Sequence, residues 1–132
     1  MIRPLVLSLA LAAGPAAGHH SLAAYDGARP ITLTGEVTEF SFTNPHPYLV
    51  VAVKPPSGPV QPWRMEMDNL WELQGIGMTR DTFRSRDRLT VTGSPDRGGA
   101  HALYVRQLDR PADGLFYEQV GMSPRLRLPN RK

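Results

Sequence analysis

Across residues 31–42 apolar and polar positions largely alternate, and across Tyr48–Val53 the chain is apolar without a break. Ile31, Leu33 and Val37 stand among Thr, Gly and Glu, and Phe40 and Phe42 close the first run. β-Branched and aromatic residues in this pattern predict a strand. Gly35 interrupts it, as a glycine does where a small barrel turns a corner. The unbroken second run predicts a strand buried on both faces. The joint between them is Asn44-Pro45-His46-Pro47. Two prolines fix φ and hold the residues before them extended, so His46 sits in a stiff frame.

Further along, Lys54-Pro55-Pro56-Ser57-Gly58-Pro59 is a dense turn signal leading into a third strand over 60–67. Trp63, Met65 and Met67 share one of its faces, with Arg64, Glu66 and Asp68 on the other, away from the core. Asp68 or Asn69 can cap a short helix over 70–74 that stops at Gly75 or Gly77, and Thr79 opens another helical turn. Strands follow at 89–93 and 102–108. Past Pro111 the pattern weakens, although Phe116 and Tyr117 can pack back on the domain. The sequence therefore predicts an all-β fold with a short helix: a five-stranded, OB-like Greek-key barrel with the helix between strands 3 and 4. The barrel domain is 31–110, preceded by an arm at 19–30 and followed by an extension at 111–132. That extension is basic and expected to be disordered at its end, where Arg125, Arg127, Arg131 and Lys132 mix with prolines.

The first 18 residues are expected to be a signal peptide. Arg3 precedes a short apolar run at 4–13 and a small-residue region, too short for a comfortable membrane span. Ala16 and Gly18 fit a cut after Gly18, which makes His19 the new N-terminus; a cut after Ala17 competes. No later segment is apolar enough to span a bilayer. The expected destination is the periplasm or the outside. Of the 15 basic residues only Arg3 lies in the leader, so the mature chain keeps 14 against 12 acidic ones. That mild excess argues against nucleic-acid binding. There is no cysteine, hence no disulfide and no thiolate metal site.

Several stretches together resemble a family of small exported bacterial proteins of unknown function. They are His19-His20-Ser21-Leu22-Ala23, Leu33-Thr34-Gly35-Glu36-Val37, Thr43-Asn44-Pro45-His46, Trp63 with Glu66, Met78-Thr79-Arg80-Asp81, and 87–93. The family usually has Phe where Leu22 stands and Pro-Gly-Asp where Ser85-Arg86-Asp87 stands. The resemblance implies a periplasmic barrel-like domain and supplies no activity. A looser one is to OB-type periplasmic copper and silver chaperones, which hold Cu(I) with one His, two Met and a capping Trp. His46, Met65, Met67 and Trp63 are the same residue types in the same order, at different spacing.

Three histidines carry the main chemical expectation. A free His19 offers its α-amine and ring Nδ1 as a chelate, and His20 or His46 can complete a nitrogen-rich site, which favours Cu(II). Against this, His19-His20 can be a plain polar end, and His46 can serve only to fix its loop through a carbonyl. Met65 and Met67 are soft thioethers, yet two methionines on one strand face fill cores more often than they bind metal. Trp63 and Trp71 read as core or as a pocket wall. Arg80, Arg84, Arg86 and Arg88 form a basic patch, a solvated face first and a site for an anion or a partner second. No catalytic motif is present: acids are scattered, and no Ser-His-Asp order or phosphate loop occurs. The expectation is a non-enzymatic exported binding protein, with copper through His19, His20 and His46. The alternative is a metal-free structural or interaction domain with a protein partner at the envelope.

Overall fold

The computed structural model describes residues 22–129. The leader and the His19-His20 pair lie outside them. A single 3₁₀ turn, Leu22–Ala24, precedes seven strands: β1 Ile31–Ser41, β2 Tyr48–Val53, β3 Gln61–Glu66, β4 Arg88–Pro95, β5 Ala102–Arg110, β6 Leu115–Val120 and β7 Ser123–Arg127. The short helix α1, Leu70–Gly75, lies in the chain between β3 and β4. Among the described residues no helix is long and apolar enough to cross a membrane.

β1 is long enough to serve two neighbours. Its first half pairs antiparallel with β4 and its second half with β2, and Gly35 belongs to both registers. A Cβ at Gly35 would strike the Ala52 carbonyl oxygen and stand 2.8 Å from the Val51 side chain. The strand coils here because the neighbouring backbone needs the space. The sheet runs β3-β2-β1-β4-β5 and closes where β3 pairs in parallel with β5, Arg64↔Ala102 through Glu66↔Tyr104. This is a closed five-stranded barrel with two extra strands. Its interior is filled from alternate positions, including Val37, Leu49, Val51, Met65, Leu89 and Val91.

β2 departs from the expectation of burial on both faces. Leu49, Val51 and Val53 point inward, while Tyr48, Val50 and Ala52 are only half-buried. A single barrel wall has nothing packed outside it except long side chains. Arg64 supplies one, its guanidinium carbon 3.4 Å from the centre of the Tyr48 ring. α1 is capped as expected: Asn69 Oδ1 accepts the Glu72 N–H at 3.0 Å. Thr79 opens a single hydrogen-bonded turn, with the Thr82 N–H donating to the Thr79 carbonyl at 3.0 Å.

The extension holds two strands the sequence did not predict. Residues 115–127 form a hairpin, β6 and β7, on the second half of β5, where β3 no longer covers the strand, and β7 takes in part of the basic stretch expected to be disordered. Leu115 and Tyr117 are buried, and Leu126 packs against the same core. The run Ser-Pro-Arg-Leu-Arg conceals a strand because its outward positions are basic. Together with α1, the hairpin carries the core past the barrel end to Leu73, Met78 and Phe83.

Candidate functional site

The Asn44-Pro45-His46-Pro47 joint is tied to the chain between β3 and α1. The Met67 N–H donates to the Pro47 carbonyl at 2.9 Å, and the Leu70 N–H to the Pro45 carbonyl at 3.4 Å. The Asn44–Pro45 peptide is cis. His46 is half-buried, with Nδ1 3.2 Å from the Met67 carbonyl oxygen. A carbonyl oxygen only accepts, so a neutral His46 ring carries its proton on Nδ1 and presents a bare Nε2.

His46 lines a cavity of about 150 Å³ together with Glu66, Asp68, Glu72, Tyr104 and Gln119, and Leu22 of the arm and Met122 line it too. Glu66 was expected on the outer face of β3. It is outside the apolar cluster, yet only 5% exposed, because the arm and β5 cover it. The Tyr25 hydroxyl donates to Glu66 Oε2 at 3.1 Å. Burial, then the Glu66 charge and this hydrogen bond, raise the Tyr25 pKa well above the phenol range. Asp68 accepts from the Asn69 N–H at 2.7 Å and from Gln119 Nε2 at 2.8 Å. A hydrogen bond with Asp68, then burial and the Asp68 charge, raise Glu72 above the usual carboxylate range. Burial, followed by the charges of Asp68, Glu66 and Glu72, raises Tyr104 as well. The cleft is thus an acidic lobe with one imidazole at its edge, an arrangement that attracts cations.

The other candidates fall elsewhere. His19 and His20 lie outside the described residues, although Leu22, three positions after His19, reaches the His46 cleft. Met65 and Met67 are fully buried in the core. Trp63 is half-buried and stacks on His101, ring centres 5.0 Å apart. Trp71, read as core or pocket wall, is 81% exposed; it lines an open groove with Ile76, Pro124 and Met122, itself 83% exposed. A helix of this length buries one face only, and Leu73 takes that face. Arg80, Arg84, Arg86 and Arg88 are all exposed, and none forms an ion pair among the described residues. Among the described residues no group of three or more His, Cys, Asp or Glu is placed to hold a metal ion.

The acidic lobe itself was missed. Asp68 and Glu72 stand four apart across the helix cap, which was a usable signal for their contact. The approach of Tyr25 and Tyr104 to Glu66 depends on barrel closure and leaves no local mark. No curated protein and no solved structure matches the chain. The model of a family of unknown function (DUF6152) matches residues 6–104, and the chain belongs to that family.

Proposed function

We propose that this chain is an exported, non-catalytic binding protein that takes copper at the His46 end of an OB-type barrel. The parallel β3–β5 closure, the coiled β1 shared by two neighbours and the helix between β3 and β4 support the OB reading. The observation that carries the metal reading is the position of His46. Its Nδ1 is engaged by the Met67 carbonyl, so Nε2 is the ligand atom, at a cleft that Leu22 also lines. Metal-binding imidazoles are commonly oriented in this way by a carbonyl on the other ring nitrogen. Three residues span at most about 10 Å, so His19 is within that reach of Leu22. A processed N-terminus at His19 supplies an amine and an imidazole, and His20 a further one. The acidic lobe adds attraction for a cation. Imidazoles bind metals only when neutral, so binding weakens below about pH 6.

The test has two steps. Mass spectrometry of the exported protein reads the mature N-terminus, and any start other than His19 removes the amine chelate. Copper titration followed by visible and spin-resonance spectra then reads the ligand set. Nitrogen-dominated signals that change in His46→Ala support the site.

A second reading has its own observation. The His46 hydrogen bond already fixes its loop, a duty that needs no metal. On this reading the chain is a structural or interaction domain, with the exposed Trp71 and Met122 as docking surface for a partner protein. Spectra identical to those of copper in buffer alone favour it.

A further inference from the structure

Beside the His46 cleft lies a larger cavity, about 380 Å³, lined by Tyr25, Gly27, Ser94, Tyr104 and Arg106. Leu22, Tyr104, Gln119 and Gly121 line both cavities, so the two are lobes of one cleft. The larger lobe is within the size range of small-molecule sites.

Its polar groups are arranged for an anion. The β4–β5 register jumps from Thr92↔Gln107 to Gly93↔Val105, which leaves Arg106 as the extra residue of a bulge. Bulges redirect side chains out of the ladder. Arg106 Nη2 lies against the arm, where a Cβ on Gly27 would come within 3.0 Å of it; glycine there leaves the guanidinium its place. Arg106 has no ion pair or hydrogen bond to its side chain among the described residues. Ser94 is 4% exposed and Tyr104 8%. Neither hydroxyl has a hydrogen-bond partner among the described residues, and neither is sealed from solvent, so both open on the cavity they line. A hydroxyl that the protein leaves to solvent can donate to a ligand acceptor in place of water. A free guanidinium with two such donors is a recognition set for a carboxylate.

The adjoining lobe sets the rest of the ligand. Glu66, Asp68 and Glu72 lie past Tyr104 and repel a second negative charge, which disfavours phosphates and dicarboxylates. They favour an ammonium group instead. The Tyr25 and Tyr104 rings, centres 5.9 Å apart, give the stretch between an apolar wall. We propose that the cleft binds a small zwitterion of the amino-acid type, its carboxylate on Arg106, Ser94 and Tyr104 and its ammonium group toward Glu66, Asp68 and Glu72.

The site shares the acidic lobe with the proposed copper site but uses none of its histidines, and it is tested with the purified processed protein in excess chelator. The probes are glycine, β-alanine, γ-aminobutyrate, ε-aminohexanoate, L-lysine and glycine betaine, with acetate and butylammonium as single-charge controls, read by calorimetry and thermal shift. At least one zwitterion is expected to bind more tightly than both controls. Arg106→Gln is expected to weaken it about ten- to a hundredfold, as loss of a charged hydrogen-bonding group does. Arg106→Lys should fall between, and Ser94→Ala should weaken it several-fold. Arg106 is exposed, so its variants should keep the parent's melting temperature, and copper spectra of Arg106→Gln should match the parent's. Binding that survives Arg106→Gln, controls that bind as well as the zwitterions, or no binding by any probe each overturns the proposal.

Discussion

Tyr25 and Glu66, 41 residues apart, are joined by a hydrogen bond of 3.1 Å from the phenol to the carboxylate. The bond fastens the arm to β3 and roofs the acidic lobe. Two backbone bonds hold the same arm: the Asp26 N–H to the Pro95 carbonyl at 2.7 Å and the Arg97 N–H to the Ala24 carbonyl at 2.9 Å. Because Glu66 is nearly buried, removing its donor leaves a poorly solvated acceptor. Tyr25→Phe is therefore expected to lower stability by about 1–3 kcal/mol in urea unfolding. A change too small to measure would show that water replaces the phenol without loss.

Arg86 has φ of 74°, in the left-handed region that favours glycine. Its N–H donates to the Val37 carbonyl at 2.8 Å, and the Val37 N–H returns a bond to the Asp87 carbonyl at 2.9 Å, so the turn cannot relax without breaking both. A non-glycine residue here costs about 1–2 kcal/mol, and glycine relieves that strain but offsets part of the gain through its larger entropy in the unfolded chain. Arg86→Gly is expected to stabilise the protein by about 0.5–1 kcal/mol, read as a rise in denaturation midpoint. A loss of stability would mean that the arginine side chain contributes more than its backbone strain removes.

The strands of the barrel were legible from alternation or, in β2, from an unbroken apolar run that marks a strand but not which face is buried, and Gly35 marks the corner of β1. The hairpin after Pro111 was not. Arg125 and Arg127 occupy the outward positions of β7, so composition read as a basic tail where geometry needs only Pro124 and Leu126 to face inward. The core reading of Trp71 failed for a different reason, and its pocket-wall alternative stands: size suggested burial, but a six-residue helix hides one face and Leu73 occupies it. For the site, the stiff setting of His46 could be read from its prolines. The acidic lobe could not, because Glu66 meets Tyr25 and Tyr104 only once β3 closes on β5.

Glu72 makes stability depend on pH in an unusual direction. Its carboxyl titrates above its ordinary value of 4.5, first through the hydrogen bond with Asp68. Between the unfolded and folded pKa values the native state holds a proton that the unfolded chain has released. Stability therefore falls as pH rises through that window and stays lower above it. Glu72→Gln keeps a neutral hydrogen-bonding group beside Asp68 and removes the titration. The variant is expected to be more stable than the parent near pH 7 and no more stable near pH 4. An advantage of equal size at both pH values would assign the effect to packing rather than to the shared proton.

His46 separates the two functional readings in one experiment, because its two nitrogens have different duties. Loss of the Nδ1 bond to the Met67 carbonyl is expected to cost about 1 kcal/mol in the absence of metal. Loss of Nε2 as a ligand costs nothing until copper is present. A ligand that binds only the native state stabilises it by about 2.7 kcal/mol at a hundred times its dissociation constant. Parent and His46→Ala are unfolded with and without copper, and the four midpoints compared. On the metal reading the parent gains stability with copper, and His46→Ala shows the metal-free cost and also loses most of that gain. On the structural reading only the metal-free cost appears, and copper moves neither protein. A gain of equal size in both would place the copper on ligands other than His46 and end the role assigned to this cleft.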